Sequence, residues 1–407
     1  MRLRMVKLTE PSLVGLALLL SIIGPTMAEE ISPIKLGVLT DMSSLYADNG
    51  GQGSVVAAQM AVDDFGGVLR GRPVEIVSGD HQNKADVGAG ITRRWLENEH
   101  VEAILDVPNS AVALAVQGIT REKGKIFLAT GAATSRLTGD ECSMTSIHWT
   151  YDTYALSQGM TKAILRLGAK KWFFLSADYS LGAQLEADSR KVIDATGGRV
   201  VGAVKHPINT SDFSSFLLQA QASNADVIAL ADAGGDFINV VKQAGEFGIS
   251  RQQRLVGLIV FIADIHSLGL ASAQGLLLSS AFYWDMNDST RAWSKRFIAK
   301  TGKVPTMIHA GTYGAVMHYL KAVRAAGTLD GPAVAAKMRA MPVNDFMTTN
   351  GRIRQDGRLV RDMYLFRVKA PAESKFRFDY YETLATIPGD EAFRTMEDGK
   401  CPLLKKQ

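Results

Sequence analysis

The chain has 407 residues, with 45 Lys and Arg against 41 Asp and Glu, a formal net charge of +4, seven histidines and two cysteines. That length supports two domains with full hydrophobic cores rather than one small stapled fold. A charge balance this close to neutral argues against a nucleic-acid partner.

The first stretch, "MRLRMVKLTEPSLVGLALLLSIIGPTMAEE", sets Arg2, Arg4 and Lys7 ahead of an apolar run from Leu13 to Ile23, followed by Thr26-Met27-Ala28. This is the pattern of a secretory signal peptide. The run is shorter than the roughly 20 residues a spanning helix needs. Residues 1–28 are therefore expected to be cleaved after Ala28 and the remainder exported. No cysteine lies near the cleavage point to carry a lipid, so a free periplasmic protein is expected. Cys142 and Cys401 would then sit where disulfides persist, and they are expected to pair, tying the C-terminal tail to mid-chain. Two buried free thiols are the alternative.

Beyond the leader, "IKLGVLT", "PVEIVS", "VEAILD" and "KIFLAT" are short, apolar and rich in β-branched residues, which predicts strands. Between them "GSVVAAQMAVDDF", "ADVGAGITRRWLENE" and "SAVALAVQGITRE" carry apolar residues at helical spacing. A second set follows, with strands at "KKWFFLSA", "RVVGAVKH" and "ADVIALAD" and helices at "GAQLEADSRKVIDA", "TSDFSSFLLQAQA" and "DFINVVKQAGEF". Strand then helix, repeated, predicts parallel sheets with right-handed crossovers. The fold class is thus α/β, with two lobes of similar size.

The polar and aromatic stretch "CSMTSIHWTYDTYALSQGM" does not suit a central strand and is the expected place for the chain to cross between lobes. From about Arg251 the chain adds another strand or two, helices at "RAWSKRFIAKT" and "HAGTYGAVMHYLKAVRAAG", and a closing pair of strands around "GRIRQDGRLVRDMYLFRV".

In open parallel sheets ligands sit beyond the carboxyl ends of the strands. Three strand-to-helix loops draw attention for that reason. In "DVPNSAVA", Asn109 or Ser110 can cap the following helix, whose first N–H groups favour an anion. In "ATGAATSRLT" the small residues Gly131, Ala132 and Ala133 let backbone approach a ligand. In "TDMSSLYADNGGQG" hydroxyls and Tyr46 precede a helix.

No enzyme constellation is present: there is no GxSxG elbow, no phosphate loop ending in GK[ST], and no HExxH. "GAG" at Gly88 to Gly90 lacks the third glycine of a dinucleotide fingerprint. "DHQNKAD", with Asp80, His81 and Asp86, reads as a polar turn rather than a metal site. No metal, cofactor or covalent chemistry is expected.

From about Ile34 to Val368 the chain resembles the solute-binding proteins of ABC transporters of the branched-chain amino acid type. The phrases that carry the likeness, in order, are "IKLGVLTDMSSLYADNGGQGSVVAAQMAVDDF", "GAATSRLT", "HWTYDTYALSQGM", "ADYSLGAQLEADSRKVIDATGG" and "NTSDFSSFLLQAQASNADVIAL". The resemblance implies the type I periplasmic binding fold, two Rossmann-like lobes joined by a three-crossing hinge, near residues 149, 282 and 357. Lobe 1 would comprise 29–149 and 283–357, and lobe 2 would comprise 150–282 and 358–407. It implies a monomeric clamp that closes on one small molecule and presents it to a membrane permease.

In the amino-acid binders of this family, hydroxyls and backbone N–H groups of two loops hold the ligand carboxylate. Asn109 and Ser110 match the first loop. In the second, the family's threonine position falls on Ala133, with Thr134 one place later. The family glutamate that neutralises the ligand ammonium falls within Leu258 to Phe261, which here is Leu-Ile-Val-Phe. A buried ammonium without a partner is expensive, so an α-amino acid should bind poorly unless Asp264 takes that role. A family tyrosine is replaced by Ala233 or Gly234, widening one wall, while Tyr179 matches a family tyrosine at the rim. Trp149, Tyr151, Tyr154 and Phe261 supply aromatic faces. The resemblance and these departures imply a carboxylate with a bulky apolar body and no amine, such as an aromatic acid. An amino-acid or amide ligand, or a ligand-sensing role on the same fold, are the alternatives, with an exported enzyme last.

Overall fold

The computed structural model describes residues 32–249 and 252–404, together with Met1, Met5 and Lys7. Apart from those three positions, the expected signal peptide lies outside the described residues.

The first lobe is built on β1 (Ile34–Thr40), β2 (Val68–Leu69), β3 (Arg72–Asp80), β4 (Val101–Asp106), β5 (Ile126–Ala129) and β6 (Ser146–His148). They run in the order β2-β3-β1-β4-β5-β6, all parallel except for the antiparallel β2–β3 pair. β5 is buried along its whole length and β1 nearly so, because helices cover both faces, as parallel sheets require. One face packs Leu36 and Val38 against Val62, Tyr319 and Val334 of the helices Gly51–Phe65, Met307–Ala326 and Gly331–Ala340. The other packs Leu39 and Phe127 against Trp95 and Val112 of Ala85–Glu97 and Ser110–Glu122.

The second lobe holds β7 (Lys171–Ala177), β8 (Arg199–His206), β9 (Val227–Ala231) and β10 (Arg254–Gly257), parallel in the order β10-β9-β7-β8. β11 (Leu277–Ser280), β12 (Val343–Asp345), β13 (Thr348–Ile353), β14 (Leu359–Val360), β15 (Met363–Val368) and β16 (Tyr381–Ile387) form two small antiparallel sheets, β11-β15-β16 and β12-β13-β14. The core around Phe174, Phe237 and Ile265 is continuous with Tyr46, Ala133 and Ile308 of the first lobe. The lobes therefore touch across their cleft.

The chain passes between lobes from β6 into the helix Thr153–Arg166, from β11 into the helix Asp288–Thr301, and from β14 to β15 through Arg361 and Asp362. Two buried arginines of the last passage fasten the other two. Arg358 Nη1 donates to Tyr151 O at 2.9 Å and lies 3.7 Å from Asp152, and Arg361 Nη2 reaches Ala281 O at 3.5 Å.

The tail after β16 passes the hinge, with the Arg358 guanidinium 4.4 Å from the centre of the Phe393 ring. Arg394 then donates to Ser135 O, and Cys401 is disulfide-bonded to Cys142. The end of the chain, assigned from sequence to lobe 2, thus returns to lobe 1, because the disulfide and Arg394 both anchor there. Among the described residues no helix is long and apolar enough to cross a membrane.

Candidate functional site

In each parallel sheet the chain departs to opposite sides of its first strand. β1 lies between β3 and β4, and β7 lies between β8 and β9. Ligands collect beyond strand carboxyl ends at such reversals, and here the loops from both reversals face one another around a narrow, nearly closed cavity of about 10 Å³. From the first lobe, Tyr46, Asn49, Pro108, Gly131, Ala133 and Tyr151 line it, with Ile308 from a helix start. Leu181, Ala233, Ile259 and Phe261 complete it from the second.

The loop after β1 is shaped by Asp41, whose carboxylate accepts the N–H groups of Ser44 at 2.9 Å and Tyr46 at 2.8 Å. Thr306 Oγ1 donates to Asn49 O at 2.7 Å, and His309 Nε2 bonds Gly50 O at 2.8 Å, fixing the far end of the loop.

After β4, Asp106 and Val107 adopt φ of 76° and 60°. A β-branched residue in the left-handed region is strained, and such strain gathers at functional sites. Asp106 is fully buried, and burial pushes its carboxyl up to about 6 against the pull of the Ser54, Thr40 and Thr130 hydroxyls. The helix start that follows is not bare. Asn109 Oδ1 accepts the N–H groups of Ala111 at 2.9 Å and Val112 at 3.1 Å.

After β5 the carbonyls of Gly131, Ala132 and Ala133 are engaged by Tyr151 OH at 2.6 Å, His148 Nε2 at 2.8 Å and Thr153 N at 2.7 Å. The Thr134 N–H donates to Ser110 Oγ at 3.3 Å. The N–H groups of Ser110, Ala132 and Ala133 have no acceptor among the described residues. With carbonyls occupied and N–H groups free, this corner offers donors, which suits an anion.

In the second lobe Tyr179 precedes the helix Ser180–Ala195, and its hydroxyl bonds the Tyr46 hydroxyl across the cleft. Gly234 has φ of 60°, and a Cβ there would fall 2.2 Å from Leu45 O, so the close approach of the two loops needs glycine. The Phe261 ring meets Tyr151 edge-on with centroids 6.1 Å apart. Asp264 is buried, and its Oδ2 accepts the Phe261 N–H at 2.8 Å. Burial pushes the Asp264 carboxyl up to about 7, opposed by the Phe261 N–H and by the nearby Asn49 amide. Behind this wall His206 lies 3.4 Å from Asp232, both fully buried. Burial lowers the His206 pKa, but the adjacent Asp232 carboxylate outweighs it and holds the imidazole above its ordinary value.

Of the residues singled out from sequence, Tyr46, Gly131, Ala133, Tyr151, Ala233 and Phe261 meet at the cavity wall. Ser110, Ala132, Tyr179 and Gly234 stand behind it through the contacts above. Asn109 does not reach the cavity, since its side chain is spent on the helix cap. Trp149 is also drawn away: its ring packs on His318 with centroids 5.5 Å apart, beneath the helix Met307–Ala326. Tyr154, on the helix Thr153–Arg166, takes no part in the wall. Sequence reasoning missed Asn49, Pro108, Leu181, Ile259 and Ile308. Asn49 and Pro108 lie within the singled-out loops, whereas Ile308 carries no local signal beyond its place at a helix start.

The family described as periplasmic binding protein matches residues 33–375. The crystal structure of a periplasmic binding protein from Burkholderia mallei superposes with a TM-score of 0.90 at 46% identity, covering 92% of this chain and 99% of that one. A branched chain amino acid ABC transporter periplasmic ligand-binding protein from Burkholderia xenovorans LB400 gives 0.81 at 43% identity, with coverage of 90% and 99%. An ABC transporter solute binding protein from R. palustris in complex with benzoate gives 0.79 at 19% identity, with coverage of 87% and 96%, a likeness of fold alone.

Proposed function

The chain belongs to the periplasmic binding protein family, and we propose that it captures a small organic carboxylate, an aromatic or other hydrophobic acid, in the interlobe cavity and delivers it to an ABC importer. The observation that carries this reading is the division of the cavity. Ala133, whose N–H has no acceptor among the described residues, lines one corner, with the equally free N–H groups of Ser110 and Ala132 behind it. Tyr46, Tyr151, Leu181, Ile259, Phe261 and Ile308 make up most of the remaining wall. No carboxylate lines the cavity, so an ammonium group would enter without a counter-charge. Binding energy shifts the clamp toward the closed arrangement that the permease recognises, and no bond is made or broken. The protein acts in the periplasm after loss of its leader.

A second reading has one observation in its favour. Asp264 sits just behind Phe261, and an acid that titrates near neutrality could turn to an amino group. The 43% identical neighbour named for branched-chain amino acids makes that reading worth testing directly. The test is a thermal-shift series on protein stripped of ligand by unfolding and refolding, with matched amino acids and amine-free acids. A ligand at about 100 times its Kd adds about 2.7 kcal/mol of stability. Benzoate-like or phenylpropenoate-like acids are expected to raise Tm while leucine and phenylalanine leave it unchanged. The reverse pattern would assign the ammonium to Asp264 and overturn the proposal.

A further inference from the structure

Beyond the three passages already described, the chain crosses the hinge once more. The second lobe holds the tail as far as Ala392. Ile387 packs on the helix Thr153–Arg166, where a Cβ at Gly159 would fall 2.5 Å from its Cδ1. Gly389 N donates to Asp362 Oδ1 at 3.0 Å, and the short helix Gly389–Ala392 lies against Thr153–Arg166. From Arg394 the first lobe takes over. Arg394 donates to Ser135 O, and Arg354 Nη1 donates to Arg394 O at 2.6 Å. A Cβ at Gly139 would fall 2.9 Å from Gly399 O, so the tail lies directly on the turn Ser135–Thr138. That turn continues the loop whose Gly131 and Ala133 line the cavity. Cys401 closes the path through its bond to Cys142.

Ala392 and Arg394 can stand no more than about 7 Å apart. A lobe rotation that carries their seats further apart must unseat Arg394. The disulfide further along keeps the loosened tail at high effective concentration near its seat, so that Arg394 docks again. We propose that residues 388–401 are a fourth crossing of the hinge, a strap that limits the opening of the cleft for as long as the Cys142–Cys401 bond is intact. With the bond broken only non-covalent contacts hold the strap, and the open arrangement gains population. The inference holds for any ligand, since it concerns the motion of the lobes themselves.

The Gly235 N–H reads this motion, because it donates to Leu45 O across the cleft at 3.3 Å and belongs neither to the strap nor to its seat. The experiment is hydrogen exchange on ligand-stripped protein, comparing the wild type with the double variant Cys142→Ser, Cys401→Ser and with wild type reduced by a dithiol. In the reduction each cysteine sulfur gains one electron and one proton, while the dithiol is oxidised to its own disulfide. Exchange at Gly235 is expected to be about 5-fold or more faster without the bond. Amides inside β7, such as that of Phe174, should keep their wild-type rates. Faster exchange confined to residues 135–142 and the tail would overturn the inference, since the bond would then order only its own surroundings. Acceleration at Gly235 no greater than at Phe174 would also overturn it, because the bond would then act on the stability of the whole fold. Reduced wild type decides the matter if the double variant fails to fold.

Discussion

Asp264 is 2% exposed, and burial holds its carboxyl up to about 7, well above the ordinary carboxylate value. The folded protein therefore holds this proton more tightly than the unfolded chain does. By linkage, the group's contribution to stability is greatest below about pH 4 and declines as pH rises through about 7, beyond which both states are ionised. Asp264→Asn keeps an acceptor for the Phe261 N–H and removes the charge. It is expected to flatten stability between pH 4 and 7 and to raise it at pH 8 by as much as about 4 kcal/mol. Urea unfolding at a series of pH values checks this, and a variant less stable than wild type at pH 8 would contradict it. At this scale the sequence was only partly legible. Tyr46, Tyr151 and Phe261 could be placed because aromatic residues near strand ends are conspicuous. Asn49 sits before Gly-Gly and looks like any turn asparagine, and only its burial at the cavity wall distinguishes it. Asn109 shows the opposite: an asparagine at a helix start has two uses, and the N–H groups of Ala111 and Val112 took it.

Among the elements, the hinge passages depend on buried charge. Arg358 is fully buried, donates to Tyr151 O and Leu359 O at 2.9 Å each, and faces Asp152. Burial lowers its pKa to about 9 in spite of Asp152. Removing one partner of a buried pair strands the other, at a cost of about 3–5 kcal/mol. Arg358→Met is expected to lower the urea midpoint accordingly with an unchanged slope, and an unaltered midpoint would show that Asp152 finds other compensation. The strands themselves were readable, since "IKLGVLT", "VEAILD" and "VIALA" are apolar runs buried on both faces. The short β2 and β6 were not, because two or three residues carry no periodicity. The left-handed turn at Asp106 and Val107 was equally hidden, as nothing in the residue types asks for it.

At the scale of the whole molecule, the two-lobe plan followed from the repeated strand and helix pattern, while the path of the tail did not. The bond between Cys142 and Cys401 spans 259 residues. In the loop-entropy model, closing a loop that long stabilises the fold by at most about 5.5 kcal/mol. Replacing both cysteines by serine is expected to lower Tm, with reduction of the wild type giving the same value. If reduced and oxidised proteins melt together, the tail is held by Arg394 and its packing alone. Because its two ends are so far apart in the chain, this bond also imposes an order on biosynthesis. Cys142 cannot form this bond until the 259 residues that separate it from Cys401 have been made and delivered. The bond therefore fastens the tail to the first lobe only after the whole of the second lobe, which lies between the two cysteines, has been made.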